Sequence, residues 1–185
     1  MFEPTAPDLS ASDAGAPAAP PGAASEQSWL AVTCADAGLL LPLNDAGEIS
    51  AYAGAVRVPH VRPWFLGVAN LRGQLQGVVD LGGFLGLRSP ADELAGGWLV
   101  ALNTRLEAHC ALRVDQLAGL RHEAELLAVE PGPDAEAGRP RFAGRSFREA
   151  AGARIWQEIR LSELAVDGFF LDIIEPIQPS SGSGS

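Results

Sequence analysis

GVANLRGQLQGVVDL, residues 67–81, is the stretch on which the fold turns. Two apolar runs, WFLGVANL (64–71) and QLQGVVDL (74–81), meet at Arg72-Gly73. A two-residue connection containing glycine between two such runs reads as a β-hairpin. Asp80 is placed to cap a short helical turn in LGGFLG (81–86), whose glycines keep it from lengthening. An arginine at a hairpin tip is ordinarily a solvated turn residue, so the surrounding chain has to say whether Arg72 does more.

Outward from the hairpin the same texture continues. WLAVTC (29–34) and LLLPL (39–43) are short strand candidates, followed by Glu48-Ile49 and by the pair Val56 and Val58, stopped at Pro59. In the second half, WLVALN (98–103), HCALRV (109–114), RFAGRSFR (141–148), RIWQEIR (154–160) and the closing FFLDII (169–174) read as strands. PGPDAEAGRP (131–140) reads as a loop, and Ser162 as the cap of a short helix SELAV. A weak helical stretch lies at 123–128. About ten short strands with closely spaced turn signals predict an all-β fold, closed because so many open edges would invite aggregation.

Residues 1–27 are rich in Ala, Pro, Ser and Gly, with Phe2 and Leu9 as the large apolar side chains after the initial methionine. Such a segment cannot offset its ordering entropy by burial and reads as a disordered leader. The end, PSSGSGS, reads as a flexible tail over 177–185. The organisation expected is therefore leader 1–27, a folded domain 28–176 and tail 177–185.

The net charge of −10, with all 13 basic residues arginine and none clustered, disfavours nucleic acid and anionic membranes as partners. No basic n-region or long apolar segment suggests secretion or membrane insertion, and the expectation is a cytoplasmic protein. Cys34 and Cys110 lie in apolar runs and read as two buried thiols rather than a disulfide.

Chemistry-bearing patterns are scarce. His60, His109 and His122 are dispersed without metal-ligand spacing, and no cofactor is expected. His109 and Cys110 are neighbours on a predicted strand, so their side chains point to opposite faces and make a poor nucleophile–base pair. Asp92-Glu93 after Ser89-Pro90 reads as a turn start, Glu123, Glu125, Asp134 and Glu136 read as solvated charges, and LGGFLG lacks phosphate-loop spacing. The residues alone describe a binding domain without a catalytic constellation; a small β-barrel ligand-binder or thiol enzyme is the remote alternative.

Gly67-Val68-Ala69-Asn70-Leu71-Arg72-Gly73 with Val78-Val79-Asp80-Leu81 resembles the GVxNLRG…VVDL signature of the CheW-like coupling family, and Leu112-Arg113-Val114-Asp115 resembles that family's later strand. WFLGVANLRG, DLGGFLG and GFFLDI resemble the branch serving type IV pilus twitching motility more than the flagellar one. The resemblance spans about 28–176. It departs at Gln76-Gly77, where an apolar residue and Pro are usual; glycine there is expected to remove packing and loosen the strand.

The resemblance implies two small five-stranded barrels of SH3-like type packed together with short helical turns. It also implies a non-catalytic adaptor linking the cytoplasmic tip of a methyl-accepting chemoreceptor to the CheW-like regulatory domain of a CheA-like histidine kinase, with self-association in arrays as a further prospect. Flagellar chemotaxis or a non-motility pathway is the alternative setting. Glu48, Ile49, Asn70 and Arg72 are then the candidate receptor- or kinase-binding residues. Arg72 serves as a contact or as an ion pair that sets the hairpin, Asn70 shapes the turn, and Gly73 and Asp80 are structural.

Overall fold

Trp29 to Cys34 alternate between two apolar environments, and that alternation builds the molecule. In the computed structural model, which describes residues 27–89, 92, 94, 96–130, 139–150 and 152–174, β1 (Ser28–Cys34) pairs antiparallel with β2 (Ala37–Pro42). Trp29 and Ala31 point into one cluster with Leu40, Leu126, Phe147 and Trp156. Leu30, Val32 and Cys34 point to the opposite face, into a larger cluster shared with Val79, Val100, Leu112 and Val114. A strand buried on both faces reads as a continuous apolar run rather than an alternating one, as WLAVTC does.

The remaining strands are β3 (Ala46–Ala51), β4 (Phe65–Leu71), β5 (Gln74–Asp80), β6 (Trp98–Leu102), β7 (Cys110–Val114), β8 (Gln116–His122), β9 (Leu126–Val129), β10 (Ala143–Glu149) and β11 (Ile155–Ile159). They form a six-stranded sheet, β8-β1-β2-β11-β10-β9, and a five-stranded sheet, β3-β6-β7-β5-β4. Val78, Leu99, Ala101 and Ala111 fill the inner side of the five-stranded sheet. Each sheet thus has its own small core, and the large cluster joins the two. Fully burying one side chain such as Leu41 or Leu112 is worth about 1.5–3 kcal/mol, so this joint carries much of the stability.

The two sheets repeat one topology. Each joins two antiparallel hairpins through a single parallel pair, β2 with β11 and β7 with β5. A short helix follows each parallel partner: α1 (Leu81–Phe84) directly after β5 and α2 (Leu161–Leu164) after β11. Val56 bridges to Val68 on β4 at the edge of the five-stranded sheet, the place that β9 takes beside β10 in the six-stranded one. The halves interleave, because β1–β2 belong to the sheet completed by β8–β11, and β6–β7 to the sheet begun by β3–β5.

Several expectations are corrected. The all-β class with two packed sheets holds, but among the described residues there are eleven strands rather than ten, in sheets of five and six rather than two of five. β8 and β9 escape sequence reading because their exposure alternates poorly and Gly119, at φ +92°, interrupts the first. β9 and a 3-10 turn occupy the weak helical stretch at 123–128. Val56 supplies an isolated bridge and Val58 none, so the pair is not a strand. FFLDII is not a strand: Asp167 accepts hydrogen bonds from the Phe169 and Phe170 amides at 3.0 Å and starts the short helix α3 (Gly168–Leu171). Ser162 lies inside α2, whose N-cap is Arg160 without a side-chain cap bond.

Gly77 does not leave a gap either. A Cβ there would meet the Phe65 ring at 3.0 Å, so that ring already fills the space. The leader up to residue 26, the loop at 131–138 and the tail lie outside the described residues.

Candidate functional site

Arg72 and Gly73 both have positive φ, +48° and +84°, the signature of the two-residue turn whose twist matches a hairpin. Asn70 locks the tip: its Oδ1 accepts a hydrogen bond from the Gly73 amide at 2.7 Å. Held this way, the Arg72 guanidinium reaches Glu48 on β3, Nε to Oε1 2.6 Å. β3 and β4 are the two end strands of the five-stranded sheet, so the pair spans the mouth that the curled sheet leaves between its ends. The Arg72 side chain remains 82% exposed, and an ion pair so placed adds little stability, 0–1 kcal/mol at most by the usual ~1 kcal/mol ceiling. Its guanidinium therefore stays open to a partner.

Ile49 follows Glu48 on the same edge strand and is 38% exposed, so it is not a core residue. It faces Val100 across the ladder, and Ala51, two residues on, faces Trp98. Residues two apart on a strand share a face, which puts Ile49 and Trp98 on one apolar strip at the rim of the joint between the sheets. Trp98 is 40% exposed. In sequence it reads as a strand start; a half-exposed tryptophan is the kind of residue that anchors interfaces, but only the register shows that it stands beside Ile49.

Behind the hairpin lies a buried charge cluster. Asp80 caps α1 by accepting from the Gly83 amide at 2.9 Å, as expected. It also lies 3.4 Å from Arg88 Nε and 3.6 Å from Arg113 Nη1. Both arginines make their stronger contacts elsewhere. Arg88 donates to Asp115 Oδ2 at 2.6 Å, and Arg113 donates to Asp115 and twice to the Gly96 carbonyl, at 2.8 and 3.1 Å. Asp115 further accepts from the Ala35 amide at 2.6 Å, in the β1–β2 turn. The cluster thereby ties the five-stranded sheet to the six-stranded one. Arg88 is the member that sequence reading missed, since nothing local marks it.

The two carboxylates titrate in opposite directions. Burial pushes Asp80 above its ordinary 3.8, against the weaker pull of Arg88, the Gly83 amide and Arg113. Burial acts upward on Asp115 as well, but the Arg88 hydrogen bond, the Ala35 amide and the two guanidinium charges outweigh it and hold that group below 3.8. Asp115 therefore contributes stability present above 3.8 and lost as pH falls through its lower folded value. Asp80 contributes stability present below 3.8 and lost as pH rises through its higher one. In the natural chain these trends oppose each other. Asp80→Asn keeps only the first, so urea melts from about pH 5 to 3 should show its stability falling more steeply on acidification than the wild type's; parallel profiles would refute this.

Cys34 and Cys110 are free and buried, and burial pushes both thiols up to about 12. His109 is exposed while Cys110 is buried, so the pair faces opposite sides as expected. Among the described residues no group of His, Cys, Asp and Glu side chains could hold a metal ion, and no helix is long and apolar enough to cross a membrane.

Alongside two interlocked sheets, a locked NLRG tip and the VVDL cap, the family model of the CheW-like domain matches residues 28–156, and the chain belongs to that family. It is 30% identical over 150 residues to the protein PilI of Pseudomonas aeruginosa, covering 80% of this chain and 81% of that one. Among solved structures it is similar to the scaffolding protein TtCheW of Thermoanaerobacter tengcongensis, with a TM-score of 0.59 at 18% identity over 73% of this chain and 89% of that one.

Proposed function

We propose that this chain is a non-catalytic adaptor that couples a methyl-accepting chemoreceptor to a CheA-like histidine kinase in the chemosensory system of type IV pili. Family membership and the likeness to PilI support that setting. The observation that carries the contact is the strip on β3 and β6, where Ile49 and Trp98 present apolar surface on the strand pair that also carries Glu48, the partner of Arg72. An apolar centre with a charged rim is how protein interfaces are built. The kinase's regulatory domain, itself CheW-like by the family resemblance, docks on this strip, and the hairpin tip is left to the receptor. The adaptor is cytoplasmic and joins receptor arrays at the membrane through its partners.

Small contacts of this kind bury under about 1,200 Å² and bind weakly, while linked copies raise avidity about 10²–10⁴-fold. Calorimetric titration into the regulatory domain of the cognate kinase tests the assignment. Micromolar binding is expected for the wild type. Ile49→Asp should weaken it at least about 30-fold, the loss of a hot-spot residue, and Arg72→Ala about threefold or less. Ile49→Asp binding like the wild type would remove the kinase from this strip, and a folded wild type that does not bind would overturn the function.

A further inference from the structure

An apolar cleft of about 680 Å³ lies between β2, β10 and β11 of the six-stranded sheet and the short helices α1 and α3, apart from the β3 strip. Leu39, Phe84, Leu85, Phe142, Ile159 and Phe169 line it. Phe169 is 51% exposed and Leu87, also on its wall, 39%, so large apolar side chains face solvent there. Arg139 and Pro140 at its rim are shared with a shallower depression holding Arg141, Arg160 and Glu163. Arg160 in turn borders a third hollow with Gln27 and Arg145. Arg139, Arg141 and Arg160 form no ion pair among the described residues. On a chain of net charge −10, this is an arginine-rich strip that shares its walls with Asp167, Glu163, Glu158 and Asp45. It runs from the point where residues 1–26 join the domain to the mouth of the apolar cleft.

Residues 1–26 have the complementary character. They carry Glu3, Asp8, Asp13 and Glu26 and no basic side chain, and Phe2 and Leu9 flank the acidic pair Glu3 and Asp8. Gln27 is fixed to the domain, its Nε2 donating to Glu158 Oε1 at 3.3 Å, and Glu158 lies between the cleft residues Gln157 and Ile159. As a random coil, the eighteen residues from Gln27 back to Leu9 would span about 21–25 Å root-mean-square, several times the ~4.8 Å spacing of neighbouring strands. Residues 175–185, the other attached segment, offer one carboxylate, Glu175, and one large apolar residue, Ile177, and so match the site less well.

We propose that the segment Phe2–Leu9 docks into this cleft within its own molecule, Phe2 and Leu9 as apolar anchors and Glu3 and Asp8 against Arg139 and Arg141. Two anchors bind weakly as a free peptide, but a tether of this length supplies a millimolar effective concentration, roughly 1 mM or above. The cleft is then covered by default, and a partner seeking it has to displace the segment. This goes beyond the coupling function and stands or falls apart from it.

The test uses the full chain with Thr5→Cys carrying a nitroxide, since Cys34 and Cys110 are buried and escape labelling. Amide relaxation enhancement at Leu85, Leu87 and Phe169 should exceed that at Leu75 on the β4–β5 hairpin at least fivefold. It should fall at least threefold in Phe2→Asp/Leu9→Asp, which leaves the folded domain untouched, and likewise in Arg139→Glu/Arg141→Glu. Enhancement graded only by distance from Gln27 and indifferent to these substitutions overturns the proposal. So does enhancement that persists when nitroxide and isotope label reside on different molecules, which would make the occupant a second copy.

Discussion

Arg113→Ala should lower stability by about 3–5 kcal/mol, the usual cost of removing one partner from a buried charge cluster. Arg113 is 1% exposed, and its guanidinium serves Asp115, the Gly96 carbonyl and, at longer range, Asp80. Without it the Gly96 carbonyl loses both bonds and Asp80 keeps only Arg88 as a counter-charge. For a domain of this size each kcal/mol moves the midpoint about 2–4 °C, so thermal melts should drop by roughly 10 °C. Asp80→Asn should cost far less at neutral pH, because burial already disfavours the ionised form of that carboxyl. A loss below about 1 kcal/mol for Arg113→Ala would show that the cluster is solvated and carries no structural weight.

Gly67→Ala should cost about 2–4 kcal/mol, combining a strained backbone with lost hydrogen bonds. Gly67 sits at φ +128°, and an added Cβ would lie 2.1 Å from the Val56 carbonyl oxygen. That oxygen accepts from the Val68 amide at 2.9 Å, and the Val56 amide donates back to Val68 at 2.8 Å. The methyl group must therefore push the Val56 segment off the sheet or leave the backbone strained. Gly73→Ala is the internal comparison. It also has positive φ, +84°, but its Cβ would meet nothing within 4 Å, so about 1 kcal/mol is expected. Equal midpoints for the two variants in denaturant titration would contradict the crowding at Gly67.

What the sequence discloses is whatever depends on local pattern. The NLRG turn, the Asp80 cap, the β1–β2 and β4–β5 hairpins and the all-β class are all written in neighbouring residues. β8 and β9 are not, because their exposed faces carry mixed side chains and their place is set by what they pair with. FFLDII shows the opposite failure: its composition favours a strand, yet Asp167 caps its start and packing decides for a turn of helix. In the candidate site, Glu48, Ile49, Asn70 and Arg72 could be named from a motif. That Arg72 meets Glu48 across the sheet's mouth, that Trp98 stands beside Ile49, and that Arg88 joins Asp80 and Asp115 are facts of register and topology. Spacing along the chain cannot supply them.

The interleaving of the two halves bears on how the chain is made. β2 ends at Pro42 and its parallel partner β11 begins at Ile155, a gap of 155 − 42 = 113 residues. At about 5–20 residues per second of synthesis, the first hairpin waits roughly 6–23 s for that partner to leave the ribosome. Through this interval Trp29, Leu30, Leu40 and Leu41 have no finished core to enter. Nascent chains on one message are then at their most vulnerable to pairing with each other, and the cell's holdases have their longest opportunity to bind. Cutting the gene between α1 and β6 would release no half-sized domain, since each fragment would hold a hairpin meant for the other.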